Sequence, residues 1–203
     1  MTIRKGEPWG SEVERPAGLR VAHGDAQLAS WIATDPSADY AVDGGDLHRT
    51  VGAPSTPRDV RPAMQRLPID VLDVVTDRSR HVAVAHVVIR RRGWWSWWRG
   101  RIVVVCNVDH IGSWNVAPRA HPNDGRFDVV DVAPEMRLRD RWEARRRLPT
   151  GTHVPHPAIS VRTATEWSWT DPNGAHVWVD GVDVGTRTTV EVRIAPDAAA
   201  LLI

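Results

Sequence analysis

The sequence predicts an α+β fold, in which a truncated α/β N-terminal unit precedes a β-sandwich-like domain with one basic helix. Three observations lead to this prediction. A strand, a helix, a second strand and a glycine turn follow one another within residues 19–46. From residue 69 onwards, short runs rich in valine and isoleucine alternate with turn residues. An arginine-rich segment at 136–148 interrupts that β pattern with a helical one.

The first 64 residues form the predicted α/β unit. Leu19–Ala22 and Tyr40–Val42 have the composition of short strands, and a helix is expected between them at 26–34. Asp25 is placed to cap that helix. A full nucleotide-binding half of a doubly wound fold needs several such units. At about 30 residues for each βαβ unit, only about two fit before Pro68, so the domain is abbreviated.

Residues 65–203 form the predicted β-rich domain. The preceding segment, 53–68, contains four prolines and is the expected linker. The predicted strands are 69–75, 82–89, 102–108, 126–132, 164–169, 176–179 and 188–194. A turn is expected at Asp171–Gly174, between two of the late strands. Residues 198–203 are expected to return to the small N-terminal sheet.

Composition narrows the class of protein. The 26 basic and 25 acidic side chains leave a net charge of +1, which does not favour a nucleic-acid partner. The only cysteine is Cys106, so an intrachain disulfide is excluded. The N-terminus lacks a signal-peptide core, and no apolar run reaches the roughly 18 residues of a membrane span. A cytoplasmic protein is therefore expected.

Four motifs follow one another along the chain. They are Asp-Gly-Gly-Asp at 43–46, a proline-rich turn ending in Asn-Asp-Gly at 118–125, Gly-Thr-His-Val-Pro-His-Pro at 151–157 and Val-Asp-Gly at 179–181. In this order they resemble the motifs of the bacterial-type diacylglycerol kinase and sphingosine kinase-like lipid kinases, mainly those of the C-terminal domain. The resemblance implies membership of the NAD kinase/diacylglycerol kinase superfamily. It also implies ATP-dependent phosphorylation of a lipid hydroxyl.

The first motif resembles the start of the family's Gly-Gly-Asp-Gly-Thr phosphate loop. The resemblance implies that Gly44 and Gly45 let backbone amides approach the phosphates of ATP, while Asp46 helps to hold Mg²⁺. This chain departs from the loop, because leucine and histidine at 47–48 replace the family's glycine and threonine. Thr50 is the nearest hydroxyl that could replace the missing one. We therefore expect an impaired nucleotide site.

The Asn-Asp-Gly turn is a candidate metal site. In the family this turn holds a structural metal through its Asp carboxylate and nearby backbone carbonyls. The resemblance assigns the carboxylate to Asp124 and the carbonyls to His121 and Arg126. Magnesium and calcium prefer oxygen ligands, so either ion would suit this set. Asn-Asp-Gly is also the composition of an ordinary turn, and both interpretations remain open at this point.

The candidate general base is the main departure from the family. The family's Val-Asp-Gly-Glu signature supplies a carboxylate that accepts the lipid hydroxyl proton, but here Val182 occupies the glutamate position. Asp180 and Asp183 are the nearest substitutes. A displacement of one residue along a strand turns the side chain to the opposite face, so Asp183 would need a β-bulge. Losing a general base typically removes a factor of roughly 10²–10⁴ in rate.

Tryptophan is unusually abundant, with eleven residues against one Phe and one Tyr. Trp94, Trp95, Trp97 and Trp98 are clustered between two predicted strands and are followed by Arg99. Tryptophans beside arginines suit the headgroup layer of an anionic membrane. Alternatively, every second tryptophan covers the inner face of the sandwich. Stacking of single-stranded nucleic acid on these rings ranks third, because the net charge is so close to zero.

Two hypotheses for function follow. The first is a diacylglycerol kinase-like protein that is catalytically impaired or altered and binds a lipid or a nucleotide at the inner face of a membrane. The second is an active lipid kinase with a non-standard site, which would use Mg²⁺ and would take phosphate from ATP.

His153 and His156 are interpreted as structural, because no further cysteine or acidic pair completes a zinc site. The sequence does not predict an oligomeric state.

Overall fold

The computed structural model describes residues 8–52 and 63–203. Its α-helices are α1 (Asp25–Thr34), α2 (Gly45–Thr50) and α3 (Leu138–Arg147). Its strands are β1 (Ser11–Glu14), β2 (Arg20–Ala22), β3 (Asp39–Val42), β4 (Ala63–Thr76), β5 (Arg80–Ala83), β6 (His86–Arg90), β7 (Ile102–Cys106), β8 (His110–Ile111), β9 (Trp114–Asn115), β10 (Phe127–Val132), β11 (Ile159–Ala164), β12 (Glu166–Val179) and β13 (Val182–Leu202). No helix in this described part is long and apolar enough to cross a membrane.

Part of the predicted linker, 53–62, lies outside the described residues. The division of the chain at residue 64 stays a prediction.

Most strands belong to one large, mainly antiparallel sheet with the order β1-β4-β13-β12-β6-β7-β10-β11. Its side chains alternate between two faces, as β geometry requires. Val87, Ile89 and Val103 enter the core enclosed by the sheet, whereas Val88 and Val104 enter a second core on the outer face. This arrangement confirms the predicted α+β fold with a β-sandwich-like domain.

The N-terminal unit adds a short parallel sheet to this domain. β2 pairs in parallel with β3, and β3 pairs in parallel with Ala200–Leu202 at the end of β13. The expected return of the C-terminal segment to the N-terminal sheet is therefore confirmed. Leu28 and Ile32 of α1 are buried in the core that this small sheet shares with β4 and β13. The last strand thus joins the two parts of the fold.

The turn predicted at Asp171–Gly174 does not reverse the chain. β12 runs through this segment, and its pairing with β13 is irregular between Thr170 and Ala175 and again between Val177 and Trp178. Both halves of β12 pair with the same strand, so the turn residues form a bulge. Gly174 has a φ of +69°, and a Cβ at this position would lie 2.8 Å from the side chain of Thr186. The glycine is needed for this close approach.

Two other local predictions were wrong because carboxylates act over long sequence separations. The predicted strand 82–89 is interrupted at Val84 and Ala85, whose amides bond to the Asp180 carboxylate instead of a neighbouring strand. Asp25 does not cap α1, where the N-cap is Gly24 without a side-chain hydrogen bond. Its carboxylate turns instead to α2, 21 and 22 residues away.

Candidate functional site

The predicted phosphate loop forms the beginning of α2. Gly45 has a φ of +92° and turns the chain so that the amides of Asp46 and Leu47 point towards Asp25. The Asp25 carboxylate accepts both amides, at 2.6 and 3.1 Å. A Cβ on Gly45 would lie 2.4 Å from the same carboxylate. An acidic side chain of the protein therefore bonds the amides that the resemblance assigns to phosphate, while Gly44 is extended backbone beside them.

Burial affects the ionisation of Asp25. Its side chain is almost inaccessible, and desolvation raises its pKa from 3.8 to about 6. The two α2 amides favour the charged form and oppose this rise only in part, while the nearby charge of Asp180 adds to it. The carboxylate is thus ionised at neutral pH despite its burial.

Asp46 and Asp180 lie on either side of a buried histidine, His86. The imidazole Nε2 is 3.3 Å from Asp46 Oδ2, and Nδ1 is 3.7 Å from Asp180 Oδ1. Burial alone lowers the pKa of His86, but the two carboxylates outweigh it and raise the pKa to about 10. His86 is therefore an internal cation at neutral pH. We call these three residues the His86 cluster.

The carboxylates of the His86 cluster have further partners. Asp46 Oδ1 accepts the amide of Gly112 at 2.7 Å. Asp180 accepts the amides of Val84, Ala85 and His86 at 2.8–3.0 Å, and its side chain is only 1% exposed. All four oxygens are thus engaged within the protein. Accepting a proton from a substrate would require Asp180 to give up this set of bonds.

The other candidate residues of the kinase site lie in different surroundings. Asp183 forms an ion pair with His176 at 2.8 Å and accepts the amide of Gly185, and these contacts lower its pKa. No hydrogen bond or ion pair joins it to the His86 cluster in the described residues. Thr50 donates its hydroxyl to Asp109 at 2.6 Å. The same hydroxyl lies 3.0 Å from the backbone carbonyl of Asp46, one turn earlier in α2. The structure therefore brings Asp46 and Asp180 together, directs the Thr50 hydroxyl to Asp109 and the Asp46 backbone, and leaves Asp183 elsewhere.

A second buried carboxylate, Asp70, organises the Asn-Asp-Gly turn. Asp70 is fully buried and accepts the amides of Gly125 and Asp197 at 2.7 and 2.8 Å. The Asn123 side chain is also fully buried and donates to Asp197 at 2.9 Å. The backbone of Asp70 donates in turn to the carbonyl of Pro122. The turn is held rigidly by these long-range contacts.

The candidate metal ligands lie on the outer side of this turn. Asp124 accepts the amide of Arg126 at 3.0 Å through Oδ1, and partial burial raises its pKa. The His121 ring packs edge-on against Trp9 at 4.7 Å, and its Nδ1 accepts the amide of Asn123. Among residues 8–52 and 63–203, no three His, Cys, Asp or Glu side chains converge as a metal site. Any ion here would rely on one carboxylate and on backbone carbonyls.

The tryptophan loop, residues 91–101, joins β6 to β7 and contains a short 3₁₀ helix at Trp94–Trp97. Trp94 and Trp95 are 68% and 56% exposed, and their rings stack with centroids 4.0 Å apart. Trp97 and Trp98 are partly buried, and Arg99 is exposed. The loop therefore divides into an exposed pair of rings and a pair that packs inward.

An apolar cavity of about 90 Å³ lies beneath the inward pair, between α3 and the outer face of the sheet. Its wall includes Trp97, Trp98, Ile102, Val104, Trp114, Val130, Met136, Ala144 and Leu148. Arg141 is 4% exposed and donates to the carbonyls of Met136, Trp97, Gly100 and Ala133, which fixes α3 to the tryptophan loop. A braced helix thus forms one side of the cavity.

One polar side chain in the cavity wall, His153, has unmet hydrogen-bonding capacity. It is 5% exposed, and neither ring nitrogen has a hydrogen-bond partner of normal geometry in the described residues. Burial lowers the pKa of His153, an effect that the backbone of Val116 opposes in part, so the ring is neutral at pH 7. A neutral imidazole offers one donor and one acceptor.

A groove of about 350 Å³ adjoins the cavity and shares Trp98, Trp114 and Arg145 with it. The Arg145 guanidinium lies 5.4 Å from the ring centre of Trp98 and 5.1 Å from that of Trp114. One residue along α3, Arg146 lies over the exposed ring of Trp142 at 4.7 Å. An arginine-lined groove therefore leads into an apolar cavity.

Several of these residues were missed by the sequence analysis. His86 carries no local signal, and Asp25 was assigned to the cap of α1, because the partners of both residues are distant in the sequence. Asp70 did carry a local signal, because it lies within the apolar run Leu67–Val75 and a carboxylate is rarely buried without a specific role. His153 was interpreted as structural, and its place in the cavity wall depends on the packing of α3.

A protein-family model described as the YegS C-terminal NAD kinase beta sandwich-like domain matches residues 71–203. No curated protein matches the chain significantly. The matched range contains the outer face of the sheet, α3, the tryptophan loop and the Asn-Asp-Gly turn.

Solved structures with the same fold come from Bacillus anthracis str. Sterne. Two structures of a proposed diacylglycerol kinase superpose with TM-scores of 0.64 and 0.61 at 12% identity. They cover 90% and 80% of this chain and 77% and 69% of their own. A third, of a diacylglycerol kinase, has a TM-score of 0.53 at 14% identity and covers 80% of this chain and 66% of its own. At these identities the likeness shows the fold alone, and it confirms the resemblance inferred from the four motifs.

Proposed function

Because the chain belongs to the family of the YegS C-terminal NAD kinase beta sandwich-like domain, we propose that it is a catalytically impaired, diacylglycerol kinase-like protein that binds a lipid at a membrane surface. The observation that carries this proposal is the apolar cavity under α3. Lipid binding needs an apolar space for a chain and a polar edge for a head group. The cavity and the groove beside it have these two properties.

The size of the cavity defines how much chain it holds. An apolar cavity of about 150 Å³ holds one benzene molecule, so a volume of about 90 Å³ holds roughly three or four carbons, which is the end of one alkyl chain. Apolar cavities of this kind stay dry and bind apolar molecules. Transfer of each methylene from water is worth about 0.8 kcal/mol, or about fourfold in affinity.

The geometry around α2 supports impaired catalysis. Phosphoryl transfer needs free backbone amides and a cation for the phosphates, and a group that orients the attacking hydroxyl. Here Asp25 bonds the amides, and the carboxylates of Asp46 and Asp180 bind His86 and other amides. Val182 replaces the family's glutamate and cannot accept a proton. A nucleotide would have to displace internal partners at each point.

The remaining predictions concern membrane attachment, Mg²⁺ and ATP. Trp94 and Trp95 suit insertion into the headgroup layer, which supports peripheral attachment to the inner face of the membrane. If Mg²⁺ binds, Asp124 would hold it with the carbonyls of His121 and Arg126, and it would stabilise the Asn-Asp-Gly turn by neutralising the carboxylate. ATP would serve only as the phosphate donor of an active enzyme.

Calorimetry with straight-chain alcohols of three to twelve carbons tests lipid binding. We expect the affinity to rise about fourfold per methylene until the cavity is filled and then to flatten. Ala144→Phe, which narrows the cavity, should weaken binding of the longer alcohols, whereas Ala33→Phe on the exposed side of α1 should not. Affinities that are independent of chain length, or unchanged in Ala144→Phe, would refute binding in the cavity.

Calorimetry with ATP, with and without Mg²⁺, tests the impaired nucleotide site. We expect no binding at millimolar ATP. Magnesium-dependent binding together with phosphate transfer to a lipid hydroxyl would overturn this part of the proposal in favour of an active lipid kinase.

A further inference from the structure

We propose that the ligand of the cavity is a single-chain anionic amphiphile, whose acidic head lies between Arg145 and Arg146 while its chain enters the cavity. This inference rests on the proposed lipid binding and specifies its chemistry. The groove presents two guanidinium groups and three indole rings, so a neutral head group would gain hydrogen bonds only, whereas an anionic head group would also gain charge attraction.

The charge around the groove favours an anion. Within residues 8–52 and 63–203, neither Arg145 nor Arg146 forms an ion pair with a carboxylate, whereas their neighbour Arg147 pairs with Glu143 at 3.3 Å. Both side chains are held by aromatic rings instead, Arg145 by Trp98 and Trp114 and Arg146 by Trp142. A guanidinium placed over a ring keeps its in-plane donors available for a carboxylate or phosphate.

The path from head to chain is continuous. Arg145 lines both the groove and the cavity, so a head group on its guanidinium lies at the entrance of the apolar space. Trp98 and Trp114 form the shared wall and would cover the first methylenes of the chain. The cavity volume admits one chain, which favours a fatty acid or a lysophospholipid over a two-chain lipid.

The test compares four twelve-carbon probes by calorimetry below their micelle concentrations. The probes are dodecanoate, dodecyl phosphate, dodecanol and dodecyltrimethylammonium. We expect the two anions to bind about tenfold more tightly than the alcohol, with an advantage that falls as salt rises, and the cation to bind weakest. A higher affinity for dodecanoate indicates a fatty acid, and a higher affinity for dodecyl phosphate indicates a lysophospholipid.

Substitution locates the head group. Arg145→Gln should remove most of the advantage of the anions and leave the affinity for dodecanol within about twofold, and Arg146→Gln should have a smaller effect in the same direction. Arg162 provides a matched control, because it also lies over a ring, Trp167 at 6.0 Å, but outside the cavity and the groove. Arg162→Gln should change neither affinity.

The outcomes separate the two proposals. Equal binding of all four probes would overturn the anionic head group and retain the lipid cavity. An anionic preference that survives in Arg145→Gln and Arg146→Gln would also overturn the assignment. Binding of none of the probes would refute the lipid cavity, and with it this inference.

Discussion

Replacement of His86 by glutamine is the most direct test of the buried charge arrangement. His86 lies between the Asp46 and Asp180 carboxylates and is 6% exposed. Glutamine retains a polar side chain and loses the positive charge, so two carboxylates remain close to each other and to Asp25 without an internal cation. Removing one partner of a buried charge pair typically costs about 3–5 kcal/mol, because the remaining charge is uncompensated.

The raised pKa of His86 gives a similar value for the free energy that its charge contributes to folding. A rise from the ordinary 6.5 to about 10 in the folded protein is equivalent to about 5 kcal/mol at about 1.4 kcal/mol per pH unit. Since the folded-state pKa is the higher one, this stabilisation is fully present below pH 6.5. It is then lost as the pH rises from 6.5 to 10. At pH 7 about 4 kcal/mol of it remains.

The assay is urea denaturation at several pH values from 6 to 10. We expect His86→Gln to lower the free energy of unfolding by about 4 kcal/mol at pH 7, with a loss that shrinks as the pH approaches 10. His23→Gln is the matched control, because His23 also pairs with an aspartate, Asp43 at 2.9 Å, but is 77% exposed. It should cost less than about 1 kcal/mol.

The pH dependence decides whether the charge matters. A loss below about 1 kcal/mol at pH 7, or a loss that does not change between pH 6 and pH 10, would refute the interpretation of His86 as an internal cation. In the second case the residue would contribute by packing only.

Three further predictions concern the other parts of the site. In the wild type the folded-state pKa of Asp25 lies above the unfolded value, so ionisation of this carboxyl lowers the free energy of unfolding by about 3 kcal/mol between pH 3.8 and 6. Asp25→Asn should abolish this decline. An unchanged pH profile in denaturant titrations would contradict the prediction. Trp94→Ala with Trp95→Ala should weaken binding to anionic lipid vesicles about tenfold or more in sedimentation, since burying about 60 Å² of apolar surface is worth about 1.5 kcal/mol. Equal partitioning of this variant would rule out the exposed pair as the membrane contact. Asp124→Asn should abolish any increase in melting temperature on adding millimolar Mg²⁺ or Ca²⁺, and an increase that persists in the variant would exclude Asp124 as the ligand.

Elements with a local signal could be predicted from the sequence. β7 at Ile102–Cys106 is fully buried and follows from its run of β-branched residues, and the basic helix α3 follows from its composition and its end near Pro149. The tryptophan loop was expected between two strands, and it lies there. In each case neighbouring residues determine the conformation, so a short window of sequence is sufficient.

The buried carboxylates could not be predicted in this way. Asp180 interrupts the strand at Val84 from 96 residues away, and Asp70 holds the turn at Gly125 from 55 residues away. Such bonds depend on which strands meet in the folded sheet. The cavity was missed for a related reason, because it exists only where α3 packs against the tryptophan loop through Arg141.

Leu47 shows that the residues that differ from the kinase motif depend on one another structurally. Leucine in place of the family's glycine suggested damage to a loop, yet Leu47 is fully buried in the core of the N-terminal unit. Its amide bonds to Asp25, whose carboxylate lies where a phosphate would be expected. Restoring glycine at 47 would open a cavity costing roughly 2–5 kcal/mol, and restoring glutamate at Val182 would leave the amides of α2 bonded to Asp25. The residues around α2 therefore support one another as a packed, hydrogen-bonded structure, and we expect nucleotide binding to require several of them to change together.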